Sequence, residues 1–159
     1  MVRSEIKPSS MQSEGREKKN YEVFLIGDTG NVARHGPDPV LETMRSHFDK
    51  GKHSAVIFLG DNIYPKGLPP EGAILRKDAE NALIAHKEAL KDYHGKVLFI
   101  SGNHDWNKGR EGGYEYILRQ EKYLEKLFGK NVMYPTNGCP GPTEINVNPN
   151  VTLVMINTQ

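Results

Sequence analysis

Three glycine–polar pairs along the chain contain residue types that bind metal ions. The pairs are Gly27-Asp28, Gly60-Asp61 and Gly102-Asn103, and the third continues into His104-Asp105. Carboxylate and amide oxygens are ligands for hard and borderline cations, and histidine can donate or accept a proton. Because a carboxylate has two oxygens, Asp61 could bridge two cations about 3.5–4 Å apart. The pairs therefore predict a metal site, provided that the fold brings them together.

Each pair follows a short apolar run that is typical of a buried parallel strand. The expected strands cover residues 21–26, 55–59 and 97–100. Ligands bind beyond the carboxyl ends of the strands in open α/β sheets, so we expect Asp28, Asp61 and Asn103 to surround one crevice. A single Gly-Asp pair after a strand is most often only a turn. Three such pairs in succession favour a site.

Apolar residues at helical spacing separate these strands. The expected helices cover residues 40–48, 79–93 and 117–128, and further strands are expected at 132–134, 144–147 and 151–156. Gly51 and Gly95 are the expected ends of the first two helices. The alternation of strand and helix predicts an α/β fold that starts βαβαβ, with right-handed crossovers, and continues as a mixed sheet.

The polar N-terminus and the apolar C-terminus lead to different expectations. Residues 1–20 have almost no large apolar side chains, which predicts a disordered tail. Residues 21–159 form the expected domain. Because the sequence stops soon after an apolar run, with no turn or polar cap, we expect this domain to be truncated at its C-terminus.

The composition excludes several other classes of protein. The 159 residues are 36% hydrophobic and 26% charged with a net charge of +1, which is ordinary for one globular domain and gives no electrostatic signature of nucleic-acid binding. The longest apolar run is too short to span a membrane. The single cysteine, Cys139, excludes an intrachain disulfide. With no apolar leader, the expected location is cytoplasmic, or exported if a leader was removed.

The three pairs, extended to motifs, resemble the first three motifs of the calcineurin-like metallophosphoesterases. The matching segments are Gly27-Asp28-Thr29-Gly30, Gly60-Asp61-Asn62-Ile63-Tyr64 and Gly102-Asn103-His104-Asp105. The resemblance is closest to the purple acid phosphatase branch, because Gly30 stands where most of the superfamily has histidine and Tyr64 is the residue that replaces that histidine. It implies the front half of a four-layer α/β/β/α sandwich.

The resemblance also implies a centre of two metal ions, iron with zinc, manganese or a second iron. Asp28 and Tyr64 would bind the first ion, and Asp61 would bridge both ions. Asn103 would bind the second ion. Free tyrosine titrates near pH 10, so a phenolate ligand needs a strongly polarising cation, and ferric iron in the first position meets that need.

The reaction implied by the resemblance is hydrolysis of a phosphate monoester or diester by a metal-activated water. His104 would contact the phosphate and assist the departing group as an acid or hydrogen-bond donor, and Asp105 would orient its imidazole. Three positively charged side chains follow the second and third motifs. They either contact the phosphate or remain solvated, and they are Lys66, Lys108 and Arg110.

One part of the family pattern is missing. The family completes its metal shells with three later histidines, two of them in Gly-His-x-His, whereas no histidine follows His104 here. Among the earlier ones, His47 and His86 lie on apolar helix stripes, where packing is the expected role, and His35 follows the first motif. The second hypothesis is therefore a truncated or inactive phosphoesterase-like domain that acts as a binding or interaction module.

Overall fold

The computed structural model describes residues 20–31, 38–48 and 53–159. The elements in these ranges are, in order, β1 (Glu22–Ile26), α1 (Pro39–Ser46), β2 (Ser54–Phe58), α2 (Arg76–Ala89), β3 (Lys96–Phe99), α3 (Gly113–Phe128), β4 (Thr143–Asn148) and β5 (Val151–Met155). The predicted tail lies outside the described residues except for Asn20, and His35 and Gly51 also lie outside them.

A parallel three-stranded sheet with the order β1-β2-β3 forms the centre of this part of the chain. All five residues of the middle strand, β2, are buried, because layers cover both of its faces. Side chains alternate along a strand, so Val56 and Phe58 pack against the helices while Ala55 and Ile57 pack on the opposite face. The predicted α/β fold with its βαβαβ start is confirmed.

The opposite face of the parallel sheet is covered by a hairpin. β4 and β5 pair antiparallel as a separate two-stranded sheet. Their inward residues Ile145, Val147 and Met155 join Ala55 and Ile57 in one apolar cluster. The described layers are thus helices, parallel sheet and hairpin, as the front half of the expected sandwich requires.

The first two helices end earlier than predicted. α1 ends at Ser46 and α2 at Ala89, although apolar residues continue at helical spacing to Phe48 and Tyr93. The rings of Phe48 and Tyr93 lie 4.7 Å apart and pack against the core after both helices have ended, which explains the misleading pattern. None of the helices described is long and apolar enough to cross a membrane.

Candidate metal centre

The carboxyl ends of the three parallel strands meet at one edge of the sheet, where backbone hydrogen bonds join the loops that follow. The N–H of Asp28 donates to the carbonyl of Gly60 at 3.1 Å. The N–H of Gly30 donates to the carbonyl of Asp61 at 2.9 Å. The loops after β1 and β2 therefore lie directly against each other.

Both aspartates adopt the left-handed backbone conformation. Asp28 has φ 58° and Asp61 has φ 53°, a region that costs a residue with a β-carbon about 1–3 kcal/mol. Gly60 has φ 106°, and a β-carbon there would approach the backbone nitrogen of Gly102 to 2.6 Å. The loops after β2 and β3 thus touch where only glycine fits. Such strain persists only where surrounding contacts hold it, and it is concentrated at functional sites.

Tyr64 connects the two carboxylates. Its hydroxyl donates to Asp28 Oδ1 at 2.7 Å and lies 3.1 Å from Asp61 Oδ2, so three side-chain oxygens share one proton. Burial raises the pKa of the Tyr64 phenol above its ordinary value of 10, and the hydrogen bonds to the two aspartates and their charges raise it further. Protein groups alone therefore hold this tyrosine in its neutral form.

This group of oxygens suits a hard or borderline cation. One oxygen of each carboxylate contacts the phenol oxygen, and a cation bound by these oxygens would neutralise the carboxylates and favour the phenolate. Within residues 20–31, 38–48 and 53–159, no group of three or more His, Cys, Asp or Glu side chains could hold a metal. The predicted set has only two such side chains, Asp28 and Asp61, beside one tyrosine and one asparagine, so it stays a prediction.

The third loop reaches the same group through its backbone. The N–H of His104 donates to Asp61 Oδ1 at 2.9 Å, which brings the neighbouring Asn103 close to the Asp61 carboxylate. Asn103 is exposed at the surface of this loop. The structure therefore joins Asp28, Asp61 and Tyr64 by side-chain contacts and brings Asn103 to them by chain connectivity.

The imidazole of His104 has a defined orientation. Its Nδ1 lies 2.8 Å from the carbonyl of Pro65, and because a carbonyl only accepts, Nδ1 carries a proton. The ring also packs on Tyr64, with centroids 4.2 Å apart. These contacts leave Nε2 as the nitrogen for an external partner. Nothing in the sequence indicated the role of Pro65.

Asp105 does not orient His104, which corrects the expectation from the sequence. Its fully buried carboxylate accepts from the N–H of Gly102 at 2.9 Å, from the N–H of Asn62 at 3.1 Å and from Asn62 Nδ2 at 3.0 Å. Burial raises its pKa to about 6, although the N–H donors act in the opposite direction. Asp105 thus ties the loops after β2 and β3 together, and Asn62, a motif residue without an assigned role, is its main partner.

The remaining candidates lie away from these oxygens or at the surface. His86 is fully buried, as expected for a packing residue, whereas His47 follows the end of α1 and is exposed. Lys66, Lys108 and Arg110 are exposed. Among the described residues, the convergent group therefore comes from the three motif loops.

Comparison with known proteins identifies the family of this chain. The model of the calcineurin-like phosphoesterase family (Metallophos) matches residues 21–152, which is most of the chain and includes all three motifs. Searches of curated proteins and of solved structures found no match. On the strength of the family match, the chain belongs to the calcineurin-like phosphoesterase family.

Proposed function

We propose that this chain supplies the first ligands of a two-metal phosphoester hydrolase site of the purple acid phosphatase type. Membership of the calcineurin-like phosphoesterases supports metal-dependent hydrolysis of phosphoesters. The observation that carries the finer proposal is the contact of Tyr64 with both Asp28 and Asp61. A tyrosine at this point is the feature that distinguishes the purple acid phosphatase pattern.

Four residues would hold the two ions in this proposal. Asp28 and Tyr64 would bind iron, Asp61 would bridge, and Asn103 would bind zinc, manganese or a second iron. When bound, such a pair polarises phosphoryl oxygens and lowers the pKa of a coordinated water. Tyr64 must lose the proton that it now shares with the two carboxylates.

His104 supplies the proton chemistry of the proposed reaction. With Nδ1 fixed on the Pro65 carbonyl, the imidazole presents Nε2 to a phosphate monoester or diester. In its protonated form, Nε2–H donates to a phosphate oxygen and then to the departing oxygen, which would otherwise leave as an unstable anion. The Asp105–Asn62 contacts keep the two loops that carry these groups together.

Replacing Asp61 tests the proposed site most directly. Asp61→Asn retains the shape of the side chain but removes the charge that would bridge two cations, so hydrolysis of p-nitrophenyl phosphate with Mn²⁺, Zn²⁺ or iron should fall to background. Asp78→Asn, at an exposed position in the first turn of α2, is the matched control and should behave as wild type. Circular dichroism checks that both variants fold. Undiminished hydrolysis by Asp61→Asn would refute the assignment.

A second experiment addresses the purple acid phosphatase type. Loading the chain with ferric iron should produce a visible tyrosinate charge-transfer band, and Tyr64→Phe should remove it. Tyr114→Phe is a suitable control, because Tyr114 is an exposed tyrosine on α3. A band that survives Tyr64→Phe would exclude this branch.

The alternative proposal is a truncated or inactive phosphoesterase-like domain that acts as a binding or interaction module, because residues 105–159 contain no histidine to complete the metal shells. That alternative predicts less than one tightly bound metal per chain and no turnover with Mn²⁺, Zn²⁺ or iron. Metal analysis of the purified chain therefore separates the two proposals.

A further inference from the structure

A buried hydrogen bond links the first motif to the middle of α2. Thr29 Oγ1 lies 2.7 Å from His86 Nε2, and the two residues are 57 positions apart in the sequence. Thr29 is 4% exposed and His86 is fully buried, so water cannot replace either partner. The contact lies outside the group of oxygens that would hold a metal.

The direction of this hydrogen bond follows from the other ring nitrogen. His86 Nδ1 lies 2.7 Å from the carbonyl of Ala82, which can only accept, so Nδ1 carries the proton. Burial lowers the pKa of His86 to about 4, and the ring is therefore neutral at physiological pH. A neutral ring protonated at Nδ1 has a lone pair at Nε2. The Thr29 hydroxyl is consequently the donor.

His86 is itself rigidly held in the core. Besides the Ala82 contact within α2, its ring packs edge-on against Phe58 with centroids 4.7 Å apart and lies 5.9 Å from the ring of Phe99. Phe58 and Phe99 end two of the parallel strands. The acceptor that meets Thr29 is thus fixed by both the helix and the sheet.

The Asp28 loop needs such a fixed point. Asp28 is held at φ 58°, which is unfavourable for a residue with a β-carbon. The other hydrogen bonds described for residues 28–30 all run to residues 60–64, a segment that contains Asp61 in the same strained conformation. The loop after β2 is in turn tied to the loop after β3 through Asp105, whereas the Thr29–His86 bond ties the first loop to the helix layer.

We propose that His86 is a positioning residue for the metal centre: by accepting a hydrogen bond from the Thr29 hydroxyl, it fixes the loop that presents the Asp28 carboxylate. This inference rests on the proposed function for its role in metal binding. A ligand that is already in place adds no ordering cost when a metal binds. If the loop is correctly placed for only a fraction of the time, the apparent affinity for the metal equals the intrinsic affinity multiplied by that fraction.

Amide hydrogen exchange on the metal-free full chain tests the positioning itself. Thr29→Val removes the hydroxyl with little change of shape, and Thr29→Ser retains it. The quantity to compare is the exchange rate of the Asp28 and Gly30 amides divided by that of the core amides of Leu98 and Leu124. This ratio should be about tenfold higher in Thr29→Val than in wild type. Thr29→Ser should stay close to wild type. Equal protection of the loop in Thr29→Val would overturn the proposal.

Two further variants separate positioning from a general loss of stability. Ser54→Ala removes another buried hydroxyl contact, that of Ser54 Oγ with Tyr93 Oη at 2.8 Å, at the far end of β2. It should leave the relative exchange of the Asp28 loop unchanged. The double variant Thr29→Val/His86→Phe has no unpaired buried acceptor, so its stability should recover while its loop still exchanges fast. Restored loop protection in the double variant would contradict the proposal.

A calorimetric titration with Mn²⁺ on the same variants measures the consequence for metal binding. Thr29→Val should raise the dissociation constant about tenfold, and Thr29→Ser and Ser54→Ala should not. If the wild-type chain binds neither Mn²⁺ nor iron, the proposed function fails, while the exchange measurement still decides whether His86 positions the loop. If Mn²⁺ binds equally well to Thr29→Val, the positioning role is refuted.

Discussion

The two edges of the parallel sheet are built from the same three strands but hold their connections in different ways. At the carboxyl edge, Asp28 and Asp61 take left-handed conformations, and their charged side chains share the proton of Tyr64. At the amino edge, Ser54 contacts the hydroxyl of Tyr93, and Lys96 donates to a backbone carbonyl of the hairpin. These amino-edge contacts join the helices and the hairpin to the sheet.

This difference shows where the fold accepts a cost in stability. Bringing two carboxylates together on strained backbone is unfavourable in the metal-free chain, and nothing in the packing of the strands demands it. The carboxyl edge is held instead by buried polar side chains, of which Asp105 and His86 are the main ones. Substitutions at the two edges should therefore have effects of different size and kind.

The largest effect on stability is expected for Gly60→Ala at the carboxyl edge. The new β-carbon would combine an unfavourable φ of 106° with an overlap against the backbone of Gly102, which should lower the free energy of unfolding by about 4 kcal/mol. Gly72→Ala is the matched control, because Gly72 also has a positive φ, 81°, but no atom within 4 Å of the added carbon. Gly72→Ala should lower the free energy of unfolding by about 1 kcal/mol, as measured by urea denaturation. Equal losses of unfolding free energy in Gly60→Ala and Gly72→Ala would show that the loops after β2 and β3 are not tightly apposed.

A smaller effect of up to about 3 kcal/mol is expected from protonation of His86. Its folded pKa of about 4 lies below the ordinary 6.5, so the unfolded chain takes up a proton first as the pH falls. The stabilising contribution is complete above pH 6.5 and is lost progressively toward pH 4. Burial raises the pKa of Asp105, which gives the opposite slope, so wild type must be compared with His86→Phe at each pH. If the free energies of unfolding of wild type and His86→Phe changed in parallel with pH, this prediction would be contradicted.

The smallest effect is expected for Ser54→Ala at the amino edge. Removing one buried hydroxyl contact should lower the free energy of unfolding by about 1 kcal/mol. Because Ser54 lies at the opposite end of β2 from Asp61, hydrolysis and Mn²⁺ binding should be unchanged. A loss of metal binding in this variant would show that the two edges are coupled.

The features of the carboxyl edge that could be predicted are those encoded locally. Apolar runs located the three parallel strands to within a residue at each end, and the glycines after them marked the turns. The order of strand and helix then placed Asp28 and Asp61 at one edge. Local signals were misleading where tertiary packing continued a helical pattern, as at Phe48 and Tyr93.

The features that could not be predicted depend on contacts between distant segments. The contact of Thr29 with His86 arises from the packing of α2 on the sheet, and no spacing in the sequence encodes it. The partners of Asp105 were missed for the same reason, since its neighbour His104 was the more obvious candidate. The left-handed conformation of the two aspartates was not predicted either, because it is uncommon for any residue with a β-carbon, although aspartate adopts it more readily than most.

The shared carboxylate of Asp105 has a practical consequence for engineering this scaffold. Because its oxygens accept from Asn62 in one loop and Gly102 in the other, we expect neither loop to retain its shape when it is transplanted alone. A designer who grafts new recognition segments onto the sheet should exchange residues 60–67 and 101–105 as a single cassette. Library diversity belongs at the exposed tips, with Asn62, Gly102 and Asp105 kept invariant.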